Sequence, residues 1–250
     1  MKRELIEKAA RQLIAAREGE KLLEELSGDA QPSTIEAAHA IQDAMVNLLG
    51  DQVAGWKVAK TPAGEFARGV ILASRVFNGP AKLPAALCPM KVVEVEIAFR
   101  FGHDLPAQSR DYDYEAVANA VVPFAAIEVV DSRFVSYAGT DWMHRAADFM
   151  SNGAFVIGES VTDWRGIDLS TLDVCLSLND EVKLNKTGGH PTIDPMLPVV
   201  ALVNAFRKRE GVKTGQFVTT GSFTGMTTAQ AGQQVKGTFG HFGSVTVEFV

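Results

Sequence analysis

Apolar residues recur every three or four positions in the first fifty residues of the chain, and the pattern changes afterwards. From Lys2 to about Leu26, and again from Ser33 to Leu49, this spacing predicts two amphipathic helices. Ser33 is the expected N-cap of the second helix, with Glu36 three residues later as in a capping box. The apolar stripe of the second helix is expected to contain Ile35, Ala38, Ile41, Gln42, Met45 and Leu48.

Beyond Gly50, β-branched and aromatic residues occur in short runs separated by glycine and proline, a pattern typical of strands. Two further helices are predicted, one from Tyr112 to Ala120 and one over residues 197–211 that ends at Gly211. The sequence therefore predicts an α+β fold with a helical N-terminal region, residues 1–50, and a β-rich catalytic domain, residues 51–250. The predicted strands lie in GWKVA, GVILASRVF, KVVEVEIAFRF, PFAAIEVVDSRF, GAFVIGE, LDVCLSLN, GQFVTTGSFTG and SVTVEFV.

Charge and composition narrow the classes of protein. The formal net charge is −6 and the pI about 5.4, without a basic run, so nucleic acid is not an expected partner. No apolar run approaches the roughly 18 residues of a membrane span, and the charged start of the chain predicts a helix rather than a signal peptide. Cys88 and Cys175 lie far apart and without metal-ligand spacing, which favours a reduced, cytoplasmic setting.

The segment VVEVEIAFRF carries the clearest chemical signal. Glu94 and Glu96 share one face of the predicted strand because alternate residues point the same way, a pattern that, taken alone, a solvated acidic face explains better than a metal site. Glu128 differs, since it lies inside a nearly continuous apolar run, where an ionised carboxylate needs a cation or a proton. Three carboxylates that share one site suit magnesium or manganese rather than zinc.

Other candidates have structural explanations as well. Lys57, in the apolar run GWKVA, could bind a substrate carboxylate or relay a proton to an enolate carbon, or it could face solvent on an edge strand. Asp131 and Ser132 follow Glu128, and Asp131 could orient a ligand or cap a turn. The run TTGSFTG could cradle a carboxylate or merely connect strands. Its candidate residues are Thr220, Gly221 and Ser222.

The order of these segments resembles that of the 2-keto-4-pentenoate hydratases. They belong to the fumarylacetoacetate hydrolase superfamily, together with the 4-oxalocrotonate decarboxylases. The motifs GWKVA, KVVEVEIAFRFGHDL, AAIEVVDSR, SNGAFVIGE, GGHP and GQFVTTGSFTG occur in that order, and the E-x-E strand followed by IEVVDSR is the most specific. The resemblance implies a mixed β-roll or sandwich, assembly into homo-oligomers, magnesium held by Glu94, Glu96 and Glu128, and Lys57 as the acid/base or substrate-anchoring lysine.

The activity that the resemblance implies is addition of water to a 2-hydroxy-2,4-dienoate, giving a 4-hydroxy-2-oxo acid in aromatic meta-cleavage catabolism. One alternative is a lyase of the same superfamily, either a 4-oxalocrotonate-type decarboxylase or a C–C bond hydrolase. A hydrolase would need a water-activating pair, for which Glu36 and His39 are the nearest candidates. Another alternative is a silent subunit that stabilises a partner enzyme, since a complex with a pathway decarboxylase or hydratase is also expected.

The sequence departs from the hydratase pattern in two places. Where the family commonly has an acidic residue in a D-Y-G stretch, this chain has Ala67-Arg68-Gly69, and where it has a tyrosine before I-Q, this chain has His39. Arg68 could bring a cation close to the substrate tail, which would favour a second carboxylate, or it could face solvent. The exact substrate and the water-activating residue therefore stay open.

Overall fold

The computed structural model describes all residues from Met1 to Val250. None of its helices is both long and apolar enough to span a membrane. The helices are α1 (Arg3–Arg17), α2 (Ile35–Leu49), α3 (Tyr114–Ala120), α4 (Trp142–Ala147) and α5 (Met196–Phe206). The strands are β1 (Val53–Lys60), β2 (Phe66–Leu72), β3 (Val76–Asn78), β4 (Ala81–Leu83), β5 (Val92–Phe101), β6 (Val121–Val130), β7 (Asn152–Ser160), β8 (Asp173–Leu178), β9 (Glu181–Thr187), β10 (Phe217–Ser222), β11 (Thr227–Thr228), β12 (Gln234–Phe239) and β13 (Ser244–Phe249).

The strands form two mixed sheets. The larger sheet has the order β2-β1-β10-β5-β6-β7-β3, with β11 paired to β5, and the smaller one has the order β4-β13-β12-β8-β9. Strands β1 and β10, β3 and β7, and β4 and β13 run parallel, while the other pairs are antiparallel. One continuous apolar core joins helices α1, α2 and α5 to both sheets. The predicted mixed α+β fold with a helical start is confirmed.

A separate apolar cluster fills one face of the larger sheet. Phe124, Phe155 and Phe217 form its centre, with the rings of Phe155 and Phe217 stacked at 4.8 Å between centroids and Phe124 edge-on to both. Ala98 and Ala126 belong to the same cluster and lie two residues from Glu96 and Glu128. Since residues two apart share a face of a strand, the glutamates lie on the cluster's face of the sheet.

Helix α2 completes the hydrogen bonds of the edge strand β2. Gln42 is fully buried, and its amide nitrogen donates to Arg68 O at 2.8 Å while its oxygen accepts from the Val70 N–H at 3.0 Å. One helical turn earlier, His39 Nε2 accepts from the Arg68 N–H at 3.0 Å. The helix therefore supplies partners that a neighbouring strand would otherwise provide, and it covers an edge that would be open to pairing.

The two N-terminal helices differ in detail from their predictions. Helix α1 ends at Arg17 rather than near Leu26, because the chain turns at Gly19, whose φ is +98°. The N-cap of α2 is Thr34, not Ser33: the Thr34 hydroxyl accepts the Ala37 N–H at 3.2 Å. Leu48 lies outside the apolar stripe and is 39% exposed, whereas the other five predicted members are buried.

Later elements also depart from the predicted pattern. Helix α5 ends at Phe206, five residues before Gly211, because the chain tightens into a turn in which the Gly211 N–H bonds Phe206 O. The predicted strand GVILASRVF is divided into β2 and β3 by a short 3₁₀ turn. Helix α4 and strands β4, β9, β11 and β12 were not predicted. Strand β9 is a mostly exposed edge whose sequence, EVKLNKT, has only two apolar residues, Val182 and Leu184.

We expect Gln42→Ala to lower the free energy of unfolding by about 2–4 kcal/mol, because it leaves buried backbone groups of β2 and Ala146 O without a partner. Urea denaturation followed by circular dichroism measures the change. Asn47→Ala, on the exposed side of the same helix, is the matched control and should change stability by less than about 0.5 kcal/mol. Equal stabilities of the two variants would contradict the edge-completing role of Gln42.

Candidate metal and substrate site

Two neighbouring strands bring the three predicted glutamates together. Glu94 and Glu96 alternate along β5, and the antiparallel pairing of β5 with β6 sets Glu128 directly opposite Glu94. One carboxylate oxygen from each glutamate lies within 4.8 Å of the other two. Glu96 and Glu128 are buried and Glu94 is half-buried. Like charges directly opposite each other destabilise a sheet, so this arrangement requires compensation.

The surrounding side chains bond some of these oxygens and leave others free. Glu96 Oε2 accepts the Thr219 hydroxyl and, at 3.2 Å, the Gly221 N–H. Glu128 Oε1 accepts from Lys57 Nζ at 2.6 Å and from Asn152 Nδ2 at 3.1 Å. Glu128 Oε2 is buried and has no hydrogen-bond partner. A buried acceptor that lacks a donor is rare in native proteins and indicates a missing proton or cation.

Burial and mutual repulsion change the ionisation of the cluster. Burial, followed by the charges of Glu128 and Glu94, raises the pKa of Glu96 to about 8. Burial also raises the pKa of Glu94, against the opposing effect of Lys57. For Lys57 burial acts to lower the pKa, but the neighbouring carboxylates outweigh it and hold the pKa above its ordinary value. The cluster therefore has one protonated ammonium group, Lys57, and one carboxyl group, Glu96, that keeps its proton at neutral pH.

The donor set of the cluster fits a hard divalent cation. All of its available ligand atoms are carboxylate oxygens, which magnesium and calcium prefer, whereas zinc favours nitrogen and sulfur. A divalent ion would give Glu128 Oε2 a partner and would balance the charge that Lys57 leaves uncompensated. The acidic triad could therefore bind a divalent metal ion.

A left-handed turn forms a wall beside Lys57. Phe149, Met150 and Ser151 have φ values of 48°, 51° and 60°, a conformation that costs non-glycine residues about 1–2 kcal/mol each. The turn lies against Gly69, where an added Cβ would stand 2.6 Å from Phe149 O and 2.8 Å from Lys57 Cγ. Gly69 is therefore required for the close approach of β2, Lys57 and the turn, and the turn leads directly into Asn152.

The predicted TTGSFTG segment contacts the cluster through the Thr219 hydroxyl and the Gly221 N–H, whereas the hydroxyls of Thr220 and Ser222 bond elsewhere. Gly221 has a φ of +118°, which suits glycine, and its N–H points at Glu96. The Thr220 hydroxyl donates to Ile97 O, so it holds β10 against β5. Ser222 lies opposite Glu96 in the strand pairing, but its hydroxyl bonds the following turn.

His190, in the GGHP segment, fixes the carbonyl next to Gly221. Its Nδ1 accepts the Thr192 N–H at 3.2 Å, so Nε2 carries the proton and donates to Thr220 O at 2.9 Å. Burial lowers the pKa of His190 to about 4, so the ring is neutral at ordinary pH. Through the Thr220–Gly221 peptide, His190 holds the N–H that reaches Glu96.

Asp131 and Ser132 lie beyond the end of β6 and do not contact the glutamates. Asp131 accepts the Met90 N–H at 3.1 Å, and the Ser132 hydroxyl accepts the Phe134 N–H at 3.1 Å. Their connection to the cluster is indirect, through Arg133. The guanidinium of Arg133 contacts Asp131 at 3.5 Å and donates to the carbonyl of Asn152 at 3.3 Å.

Arg68 points away from the glutamates, which corrects the expectation that it lies close to the substrate tail. In the pairing of β1 with β2, Lys57 lies opposite Gly69, so Arg68 projects from the other face of the sheet. There its guanidinium is buried and forms an ion pair with Asp43 of α2. His39 is occupied by the Arg68 backbone, so it does not form a water-activating pair with the exposed Glu36.

Several residues of the site were not predicted from the sequence. Asn152 and Thr219 bond Glu128 and Glu96 directly, and His190 acts through Thr220. Asn152 and Thr219 fall inside the quoted motifs SNGAFVIGE and GQFVTTGSFTG, but a neutral polar residue in a strand gives no sign of the atom it will contact. His190 lacks a second histidine or a carboxylate at metal-ligand spacing in the sequence.

Comparisons with known proteins find relatives of the two classes that the sequence motifs resemble. The chain is 27% identical over 256 residues to a 2-keto-4-pentenoate hydratase of Paraburkholderia xenovorans (strain LB400), an alignment that covers 97% of this chain and 94% of that protein. No family model matches the chain. Its structure superposes on 4-oxalocrotonate decarboxylase from Pseudomonas putida G7, complexed with magnesium and adipate, with a TM-score of 0.87. That match has 21% identity and covers 100% of this chain and 99% of the other.

A more distant structural match defines the wider class. A putative fumarylacetoacetate hydrolase family protein from Yersinia pestis CO92 matches with a TM-score of 0.56 and 20% identity over 80% of this chain and 94% of that one. The protein therefore has the fold of the fumarylacetoacetate hydrolase superfamily. Within that class, the resemblance to the 2-keto-4-pentenoate hydratase family that the sequence motifs indicate is confirmed.

Two variants of His190 separate its two hydrogen bonds. His190→Gln keeps a donor near the position of Nε2 and should hold Mg²⁺ affinity within about threefold, whereas His190→Asn keeps only an acceptor near Nδ1 and should lower it about tenfold or more. Titration calorimetry measures the affinity, with the exposed His241→Asn as control. Equal affinities of the two His190 variants would show that Thr220 does not transmit the effect.

Proposed function

We propose that this protein is a magnesium-dependent hydratase that adds water to a 2-hydroxy-2,4-dienoate and releases a 4-hydroxy-2-oxo acid. The observation that carries the proposal is the buried cluster of Glu94, Glu96 and Glu128, which has an unpartnered oxygen on Glu128 and a lysine bonded to the same carboxylate. The whole-length similarity to a named 2-keto-4-pentenoate hydratase supports the same reaction.

In this proposal Glu94, Glu96 and Glu128 hold magnesium, and manganese would suit the same oxygens. When bound, the ion supplies electrostatic stabilisation of negative charge on the oxygens of the 2-oxo acid. Thr219 and Gly221 orient Glu96, and Asn152 orients Glu128, so these two ligands are fixed before substrate arrives. Pre-oriented ligands avoid the cost of reorganisation during the reaction.

Lys57 is the proposed proton carrier. Conversion of the dienol to the 2-oxo-3-enoate removes the proton from the 2-hydroxyl group and places one on the distal carbon C5. Water then adds its oxygen to C4 and a proton to C3. Glu128 accepts a hydrogen bond from the Lys57 ammonium at 2.6 Å, so in this proposal Lys57 enters the cycle protonated, as an acid. Gly69 and the turn before β7 pack against the Lys57 stem and fix its direction.

A 4-oxalocrotonate-type decarboxylase is the second candidate, because the superposition on such an enzyme is close over the full chain. A dicarboxylate substrate would need a cation for its distal carboxylate, and Arg68, the residue expected to supply one, is paired with Asp43 on the other face of the sheet. This placement favours the hydratase.

The remaining expectations extend this proposal. The enzyme would act in the cytoplasm on a small 2-oxo acid, within aromatic meta-cleavage catabolism, where both cysteines stay unpaired. It would assemble into homo-oligomers and could pair with a decarboxylase of the same pathway.

One assay separates the candidates. In the presence of Mg²⁺, 2-hydroxypenta-2,4-dienoate should lose its ultraviolet absorbance without release of carbon dioxide, and EDTA should stop the reaction. Carbon dioxide release from 4-oxalocrotonate, without hydration of the dienoate, would identify the decarboxylase instead. Absence of both reactions, together with absence of Mg²⁺ binding, would leave the silent-subunit alternative.

Lys57→Ala and Glu96→Gln should fail in different ways. Lys57→Ala should lower kcat about 10²–10⁴-fold and keep Mg²⁺ bound, because it removes the proton carrier and leaves the ligands in place. Glu96→Gln should abolish Mg²⁺ binding in calorimetry, because it removes an anionic ligand, and in EDTA it should raise the melting temperature only above about pH 8, where the wild-type Glu96 carboxyl ionises beside Glu94 and Glu128. Lys236→Ala, an exposed lysine of β12, is the control. Wild-type turnover by Lys57→Ala would remove Lys57 from the mechanism.

A further inference from the structure

A cavity of about 380 Å³ lies where helix α1 ends. After Arg17 the chain turns at Gly19 and runs beside the segment that follows β6, where the Leu23 N–H donates to Arg133 O at 2.9 Å. The segment that leads into β5 forms another wall. The lining contains neither Lys57 nor any of the three glutamates, so this cavity is separate from the metal site.

Three arginines line the cavity, and two of them are almost fully buried. The side chains of Arg17 and Arg133 are 5% and 3% exposed, and Arg75, in the short turn between β2 and β3, is half-buried. Two buried carboxylates oppose these charges. Asp131 belongs to the lining, and Asp148 contacts Arg17 and Arg133 from outside it. Three guanidinium groups against two carboxylates leave one positive charge uncompensated.

Arg75 is the arginine without a partner. It forms no ion pair with any carboxylate of the chain. Glu20, the other acidic residue in the lining, is exposed, so water screens its charge. The planar guanidinium group matches the geometry of a carboxylate or a phosphate, and the Arg75 group holds no such anion within the chain.

Arg17 also has unused hydrogen-bond donors. Its Nη2 donates to Asn152 O at 2.9 Å, whereas its Nε is buried and has no hydrogen-bond partner. Burial, followed by the charge of Arg133, lowers the pKa of Arg17 to about 9, so the guanidinium is still a cation at neutral pH. A buried donor without an acceptor is rare in native proteins. The unpaired Nε and the crowded positive charge both indicate a missing anion beside Arg17.

The remaining lining of the cavity is largely apolar. It favours a ligand that covers these side chains with methylene or aromatic carbons, because such contacts remove apolar surface from water. Pockets of about 300–1,000 Å³ bind small organic molecules, and a few polar groups in them fix the orientation of the ligand. The larger apolar residues of the lining are Leu22, Leu87, Met90, Phe134 and Val135.

We propose that this cavity is a binding site for a small organic carboxylate with an apolar body, and that Arg17 and Arg75 hold its carboxylate group. The single uncompensated positive charge favours a monoanion, and the apolar walls favour an organic acid over inorganic phosphate. The inference does not depend on the proposed reaction, because neither arginine bonds a glutamate of the metal site.

Benzoate is a suitable probe, with benzamide and acetate for comparison. Each is titrated in a calorimeter into the protein in EDTA, so that no carboxylate binds through a metal ion. Benzoate should bind one-to-one with a dissociation constant of about 1 mM or lower. Benzamide lacks the charge and acetate lacks the apolar body, so both should bind about tenfold more weakly or worse. Absence of benzoate binding, or equal binding of benzamide, would overturn the inference. Equal or tighter binding of acetate or inorganic phosphate would contradict the apolar body.

Two variants locate the binding. Arg75→Ala should weaken benzoate about tenfold or more, because it removes a charged donor, and its melting temperature should not fall, because Arg75 forms no ion pair in the protein. Ala86→Phe, at an exposed position of the lining, should fill the cavity and remove benzoate binding. Arg110→Ala is the matched control, since Arg110 is exposed and lies outside the lining. Equal effects of Arg75→Ala and Arg110→Ala would count against the cavity.

These measurements are separate from the test of the proposed function. Benzoate binding in EDTA that Arg75→Ala weakens supports the cavity, whether or not the protein hydrates a dienoate. If benzoate binds only in the presence of Mg²⁺ and competes there with a 2-oxo acid, the metal site takes the carboxylate and the cavity inference is wrong.

Discussion

The crowding of three carboxylates around a single lysine is the constraint on which the rest of this structure depends. Glu94, Glu96 and Glu128 lie within a few ångströms of each other, and Lys57 is the one cation bonded to them. Removal of charges from water is costly unless opposite charge and hydrogen bonds replace the hydration. The arrangement is therefore built for a ligand of high positive charge, and without it the cluster reduces repulsion by holding a proton near Glu96.

The pairing of strands in the larger sheet fixes the positions of the three glutamates relative to one another. Long antiparallel strands fix Glu94 opposite Glu128 through their register, and the cluster of Phe124, Phe155 and Phe217 fills the same face beside them. Closely packed aromatic rings allow little displacement. Polar groups are thus confined to one end of this face, where Lys57 and the glycine of β10 approach from the neighbouring strands. The packing of the apolar cluster therefore holds the strands, and with them the polar side chains of the site, in fixed positions.

Much of this site could be predicted, and the failures have physical causes. The shared face of Glu94 and Glu96 follows from strand periodicity, and the apolar neighbours of Glu128 indicate its burial. Periodicity also sets Arg68 and its neighbour Gly69 on opposite faces of β2, but it does not tell which face carries the site. Gly69, which has no side chain to suggest a function, is the residue on the face of the site. The position of Gln42 in an apolar stripe indicates its burial, but the sequence does not reveal its hydrogen-bond partners, because they lie on a strand distant in sequence.

The left-handed turn at Phe149–Ser151 costs stability through its backbone strain, and it also fixes the segment that leads into the site. Glycine at any of its three positions would relieve backbone strain, yet each such change would also enlarge the conformational range of the segment that leads into Asn152. Selection for a more heat-resistant protein and selection for a faster one would therefore favour different residues there. A library that varies these three codons alone would show whether variants with a higher melting temperature have a lower turnover number.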